Sequence, residues 1–250
     1  MDIPRKTMSK SIKKPSIRPY IATPAYDGKV DTDYALSIAE SAMVAAAMGI
    51  PCTYGIMGNG AFIDLARNNF VRMFLDTDCT HLFFIDSDLK FEARAFIGLL
   101  TSGRSVCAGM YRRRQEPEEY PVKYFEDENG LKIKEGGWIE CERVPTGFLC
   151  IERKVIEEMA ADARMIKQVG QPDTPELFYT QLLEDGRYMG EDFSWCDDYC
   201  KRYNKKIDVW PDFDFVHGKF KCNWHNFINA QIEKLEEDLK ENKDAKMRIA

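Results

Sequence analysis

The sequence predicts an α/β fold built on a mostly parallel sheet. Two observations carry that expectation. Apolar β-type runs alternate with amphipathic segments of helical length over the first half of the chain, and one run, "LFFI" (82–85), is apolar without interruption. Such alternation implies βαβ units with right-handed crossovers, and an unbroken apolar strand suits a parallel sheet covered on both faces. At 250 residues and 44% hydrophobic, the chain can bury one sizeable core.

The elements follow in order. "IRPYIATPAY" (17–26) reads as a first strand ending near Thr23-Pro24, and "DYALSIAESAMVAAAMG" (33–49) as a helix closed by Gly49. "PCTYGIM" (51–57) is a second strand. "FIDLARNNFVRMFLD" (62–76) is a second helix, with apolar residues at 62, 65, 66, 70, 73 and 74. A strand over 81–86, a helix from about Glu92 to Thr101 and a strand over 105–111 complete the alternating half. After Arg114 the pattern changes: "YPVKYFED", "GLKIKEGG" and "WIECERV" predict a small antiparallel region. Residues 147–160 return to strand then helix, 191–205 form a helix and "KIDVW" a strand. Phe227, Ile228, Ile232, Leu235 and Leu239 share one face of a C-terminal helix, which packs on the body or on a second copy as a homodimer. The expected divisions are a basic flexible tail over 1–16, one α/β domain over 17–225 and the helix over 226–250.

Composition narrows the function. No apolar run approaches the ~20 residues needed to cross a bilayer. Eight cysteines with no apolar leader segment read as reduced thiols and a cytoplasmic location. The net charge is −6; residues 1–20 hold six basic residues against Asp2, a local +5, which leaves −11 on the remainder. An acidic body disfavours a broad nucleic-acid face, though the basic arm suits an anionic partner. The plainer reading of that arm is a solvated tail.

"HLFFIDSDLKF" (81–91) raises the question of chemistry. A buried strand runs directly into Asp86 and Asp88, with Ser87 between them. If extended geometry persists past Ile85, the two side chains converge on one side, at the carboxyl edge of the sheet where ligands bind. Two such carboxylates repel unless a cation joins them, and their hard oxygens suit Mg²⁺ or Mn²⁺. The alternative is that Asp86 caps the next helix while Asp88 is solvated.

This stretch resembles the Asp-x-Asp segment of GT-A-fold, nucleotide-sugar-dependent glycosyltransferases. The likeness extends in order through "IATPAY", "LARNNFVRMFLD", "THLFFIDSDLKF", "VCAGMYRRR", "VPTGFLCIERKVIEEM", "GEDFSWCDDYCKR" and "VWPDFDFVHGKFK". It is strongest toward small phage and large-DNA-virus glycosyltransferases, and it implies a GT-A (Rossmann-like) fold. It also implies transfer of a sugar from a nucleoside-diphosphate donor, a UDP-sugar by family habit, to a glycan or other hydroxyl acceptor. A modified DNA base is a minority acceptor, and a viral setting would place the enzyme in host cytoplasm.

By the same resemblance, Asp86 and Asp88 hold Mn²⁺ or Mg²⁺ on the donor diphosphate, Asp86 being shared with the donor's ribose or sugar, and His217 completes the set. Lys219 and Lys221, in alternate spacing beyond it, face the diphosphate; their alternative is an exposed strand edge. "GED" (190–192) resembles the motif carrying the catalytic base. That makes Asp192 the base of an inverting displacement and Glu191 a contact to acceptor or sugar hydroxyls. Both acids also suit a helix first turn. Thr23, Pro24 and Tyr26 follow the first strand, where the fold receives the nucleobase. Thr146 and Gly147 border the sugar and acceptor, the glycine permitting close approach.

Other assignments come from the residues alone. Arg67, on a helix face near the carboxyl edge, offers its donor fork to diphosphate or base; a surface ion pair is the alternative. Arg112, Arg113 and Arg114 end a parallel strand and suit donor phosphate or an anionic acceptor. Two rival readings remain open. Cys196, Cys200, Cys222 and His225 approach zinc-ligand spacing, although Cys196 and Cys200 also suit a buried helix face. A nucleotide-binding or nucleotidyltransferase-like protein that transfers no sugar also uses paired acids, but "MGNGAF" (57–62) lacks the spacing of a phosphate loop.

Overall fold

The computed structural model describes residues 17–58, 62–128 and 130–234. The expected tail (1–16), Leu235 and Leu239 lie outside them. The first half alternates as expected: β1 (Pro19–Ala25), α1 (Thr32–Ala47), β2 (Thr53–Gly58), α2 (Ile63–Leu75), β3 (His81–Ile85), β4 (Leu89–Phe91), α3 (Ala93–Leu100) and β5 (Val106–Gly109). Helix α1 is rich in alanine, the residue that loses least on becoming helical. It ends in a Schellman motif, in which Gly49 (φ 72°) donates to the Ala46 carbonyl and Ile50 to that of Ala45. The later helices are α4 (Arg153–Ala160) and α5 (Glu191–Tyr203), the latter ending at left-handed Asn204.

One eight-stranded sheet organises the chain. Its order is β2, β1, β3, Phe148–Glu152, β5, Ile207–Trp210, Ile139–Arg143, Lys123–Tyr124. Only Phe148–Glu152 and Ile139–Arg143 run against the other six, so the sheet is mostly parallel in direction. Residues along β3 alternate between two covered faces. Phe83 packs on Phe96 of α3 at 5.1 Å, while Phe84 meets Phe70 of α2 at 6.4 Å and Phe178 at 5.3 Å. That two-sided burial is why the strand is apolar from Leu82 to Ile85.

Two later insertions shape the carboxyl edge. Antiparallel Phe148–Glu152 enters between β3 and β5 with Phe148 opposite Ile85, so Thr146 and Gly147 arrive beside Asp86. A separate three-stranded sheet places Phe215–His217 between β4 and Phe220–Cys222, with His217 opposite Leu89. Phe148 joins the two sheets. It is fully buried and meets Phe83 at 5.0 Å, Phe91 at 4.9 Å and Phe215 at 5.0 Å.

The described start of the C-terminal helix, 224–234, packs on the body. Trp224 meets Tyr124 and Phe227 meets Tyr120. Among the described residues no helix is long and apolar enough to cross a membrane.

Phe148→Ala removes the ring shared by both sheets and leaves a cavity that its three aromatic neighbours cannot fill. The expected cost is about 3–5 kcal/mol, read in urea as a lower unfolding midpoint with an unchanged slope.

Candidate functional site

The carboxyl ends of β1, β3 and β5 and the start of α5 meet at one edge, and the expected site residues divide there into two clusters. At the centre of the first is Arg67. Helix α2 buries it at 3% exposure, where its guanidinium lies over the Phe84 ring at 5.3 Å. Its Nη2 donates to Asp86 Oδ1 and its Nε to Glu191 Oε1, each at 3.2 Å, while Nη1 is buried without a partner. The fork thus ties the end of β3 to the start of α5, and Arg67 is an internal bridge, not a surface ion pair.

The Asp-Ser-Asp segment departs from expectation. Extended geometry ends at Ile85, and residues 86–89 form a turn closed by Leu89 N–H donating to the Asp86 carbonyl at 3.3 Å. The same-side geometry of a strand is therefore lost, because β4 must fold back to pair with Phe215–His217. Asp86 faces Arg67 and Asp88 faces a different set of partners.

Backbone bonds hold both ends of this turn. Asp86 N–H donates to the Gly147 carbonyl at 2.9 Å, and Gly218 N–H to the Asp88 carbonyl at 3.1 Å. Gly147 is fixed by proximity: a Cβ there would collide with the Tyr111 hydroxyl and lie 2.7 Å from Asp86 Cγ. Its own N–H donates to that hydroxyl at 2.9 Å. Burial, followed by the charge of Asp86, holds the Tyr111 phenol well above its ordinary pKa, so it stays protonated. Beside it, Thr146 is buried with its hydroxyl unpartnered.

The second cluster is Asp88, His217 and Arg114. Asp88 Oδ2 lies 2.6 Å from Arg114 Nη1 and 3.5 Å from His217 Nε2. His217 Nδ1 lies 2.8 Å from the Arg112 carbonyl, which can only accept, so Nδ1 carries a proton. In the neutral imidazole this leaves the Nε2 lone pair facing a carboxylate oxygen. Burial raises the Asp88 pKa, but a His217 protonated at Nε2 as well, through its hydrogen bond and charge, and then Arg114 outweigh it and hold the carboxyl below its usual range. Tyr111 sets its ring edge-on to His217 at 5.1 Å and thereby touches both clusters.

Asp192 stands apart from these pairings. Its Oδ1 accepts the Phe193 N–H at 2.8 Å in the first turn of α5, so the capping role is realised. Burial, then the neighbouring Glu191 charge, pushes its carboxyl up to about 6, against the pull of Phe193 N–H and Arg67. It lines a cavity of about 510 Å³ together with His217, Tyr111, Arg113, Arg143, Arg187 and Tyr188.

The remaining expected residues are placed as follows. Thr23 is buried and bonded to the Tyr34 hydroxyl, Pro24 is buried within β1, and Tyr26 is 75% exposed just beyond it. Arg112 turns its guanidinium toward the Gln115 carbonyl, Glu116 and the Phe220 ring. It reaches the site through its backbone carbonyl. Lys219 lies over Phe220, and Lys221 pairs opposite Val216, on the face away from His217. Lys221 lines a separate cavity of about 1140 Å³, bounded by α1, α3 and the C-terminal helix.

Among the described residues no group of three His, Cys, Asp or Glu side chains is gathered to hold a metal ion. The zinc reading loses its basis on this ground: the Cys196, Cys200 and Cys222 thiols donate to the separate backbone carbonyls of Val144, Glu142 and Phe215. Sequence reading missed Arg143, Arg187 and Tyr188. The Asp-Gly turn at 185–186, ahead of "GED", was the available signal for the hairpin Gln181–Leu182/Tyr188–Met189 that delivers the last two.

No protein-family model matches the chain, and no curated protein matches it. Solved structures do. The A197 protein from STIV shares 17% identity, covering 80% of this chain and 85% of that one, at a TM-score of 0.48. GalNAc-T7 with UDP, GalNAc and Mn²⁺ shares 11%, covering 80% and 43%, at 0.43. The inositol-1-phosphate CTP transferase from T. maritima shares 12%, covering 78% and 85%, at 0.37. Similarity this distant assigns no function, and the residues of the site must carry that inference.

The raised Asp192 pKa predicts how stability varies with pH. A folded-state value of about 6 against the usual 3.8 means the folded protein binds this proton more tightly than the unfolded chain. The resulting stabilisation is fully present below pH 3.8 and is lost as pH rises through about 6. Urea unfolding of the wild type and Asp192→Asn across this range should show the wild type losing up to about 3 kcal/mol relative to the variant. A difference that does not vary with pH would refute the assignment.

Proposed function

We propose that this chain is a metal-dependent glycosyltransferase that moves a sugar from a nucleoside-diphosphate donor, a UDP-sugar by the family resemblance, to a hydroxyl acceptor. The observation that carries the reading is the Asp88–His217 pair beside the cavity that holds Asp192. A carboxylate oxygen and a backbone-anchored imidazole nitrogen face each other at 3.5 Å, an arrangement that calls for a cation between or beside them. Arg114 supplies one cationic partner to the same oxygen.

Asp88 and His217 form a mixed oxygen and nitrogen set compatible with Mn²⁺, whereas Mg²⁺ would rest on the Asp88 oxygens. Such ions take few protein ligands and fill their remaining positions with water and substrate phosphate, so two side chains suffice. Asp86, committed to Arg67, is better suited to donor hydroxyls than to the metal. When bound, the ion neutralises charge on the departing diphosphate. Two buried polar atoms without partners, Arg67 Nη1 and Thr146 Oγ1, suit hydroxyl or phosphate oxygens of a donor lying along this edge.

The chain's own residues then supply the proton chemistry. Asp192 Oδ1 is committed to Phe193 N–H, which leaves Oδ2 to take the acceptor's hydroxyl proton. The freed oxygen forms a bond to the anomeric carbon as the carbon–oxygen bond to the diphosphate breaks, its electron pair leaving with the nucleotide. A base with a pKa near 6 is largely ionised at neutral pH yet basic enough to share a proton in the transition state. Tyr111, held protonated, keeps Gly147 and His217 in register on either side.

The reading is tested with purified protein, Mn²⁺ and a panel of nucleotide-sugars, scored by donor hydrolysis and thermal shift. UDP-sugars should stabilise the protein only with metal, and Asp88→Ala should abolish both signals while the protein stays folded. Asp192→Asn should keep the donor-induced shift and lose transfer. Release of pyrophosphate from a nucleoside triphosphate and a sugar phosphate, with no donor hydrolysis, would identify nucleotidyl transfer instead.

A further inference from the structure

The cavity beyond Asp192 has a charge pattern that the donor does not explain. Among the described residues its wall carries four arginines, 112, 113, 143 and 187, against the single carboxylate of Asp192. The acids that pair with the latter three lie outside the wall: Glu119 with Arg113 at 3.2 Å, Asp197 with Arg143 at 2.7 Å, and Asp185 with Arg187 at 2.7 Å. These pairs use Nε of Arg113, Nε and Nη2 of Arg143, and Nε and Nη2 of Arg187. Each acid therefore orients a guanidinium without covering it, and terminal nitrogens remain for a ligand. Arg112 is excluded from this set because its guanidinium is committed to the 115–116 turn.

The wall also provides a surface for a sugar ring. Tyr188 is 72% exposed beside Arg187, and Phe193 lies 5.5 Å beneath the Arg143 guanidinium. Aromatic faces bind the C–H faces of sugars, while arginine forks read carboxylate or phosphate in two-point contacts. Asp88 and His217 are the candidate diphosphate anchor, and the three arginines reach the cavity that His217 also lines from the segment after β5, the end of strand Ile139–Arg143 and the 181–189 hairpin.

We infer that the acceptor is an anionic carbohydrate, one bearing a carboxylate or phosphate group, held by Arg113, Arg143 and Arg187 over Tyr188 with its reacting hydroxyl at Asp192. The inference rests on the glycosyltransferase reading and names the substrate that reading leaves open. A neutral glycan would give the remaining terminal nitrogens of these guanidiniums no charged partner. An anionic one has its charge matched by the arginines, which leaves a hydroxyl for Asp192.

The test is calorimetric binding of three tetrasaccharides to the full chain, with and without UDP and Mn²⁺. The probes are maltotetraose, a glucuronate-terminated tetrasaccharide and a maltotetraose phosphorylated on its terminal glucose. At least one charged probe should bind about tenfold more tightly than maltotetraose, and which one does so separates carboxylate from phosphate. The exposed double variant Arg113→Gln/Arg187→Gln should erase that preference while UDP affinity stays unchanged. Equal binding of all probes, or binding of none, would overturn the inference. Loss of UDP affinity in the variant would overturn it too, by assigning the arginines to the donor. Failure of UDP itself to bind with Mn²⁺ would instead sink the glycosyltransferase reading, while the sugar measurements made without UDP still report on the anionic pocket.

Discussion

A single buried guanidinium sets the layout of this molecule's carboxyl edge. Arg67 receives Asp86 on one arm and Glu191 on another, joining residues 105 positions apart in the chain. Its charge is desolvated by α2 and the Phe84 ring, so it requires both carboxylates. Removing either partner of such a buried network typically costs 3–5 kcal/mol, at order of magnitude. The bridge also divides the acids by role. Asp86 and Glu191 are committed to it, whereas Asp192, one residue further on, makes no hydrogen bond to it, and burial, then the Glu191 charge, makes it bind its proton more tightly.

From that division the site gains direction. On one side of Tyr111 lie Asp86, Gly147 and Arg67; on the other lie His217, Asp88 and Arg114. The cavity opens past His217 toward Asp192 and the arginines of the antiparallel region. A displacement needs a leaving group stabilised at one end and a base at the other; in the proposed reaction Asp88 and His217 serve the first and Asp192, at the start of α5, the second. Phe148–Glu152 delivers Thr146 and Gly147, and Phe215–His217 delivers the imidazole.

Much of this was legible in the residues. The β3 run, the alanine-rich α1 with Gly49 and the apolar face of α2 report burial directly, and each lies within a few residues of its expected place. The geometry of Asp86 and Asp88 was not legible, because whether a strand continues past Ile85 depends on strands more than sixty residues away. Lys221 shows the same limit. Spacing from His217 suggests a shared face, yet pairing of His217 with Phe220 across the Gly218 turn moves Lys221 to the opposite one. Arg112 and Arg114 are two residues apart on irregular backbone, where no period dictates direction; one turns inward to Glu116 and the other reaches Asp88. Arg143 and Arg187 converge only in the folded chain.

The most direct measurement of the central claim is an anomalous-scattering map from crystals grown with Mn²⁺ and UDP. The account requires one manganese peak ligated by Asp88 and the Nε2 atom of His217, with UDP phosphate in its shell, Arg114 displaced from Asp88, and Asp86 still on Arg67. UDP bound with no peak at that pair, or manganese held by Asp86 with Arg67 dislodged, would contradict it.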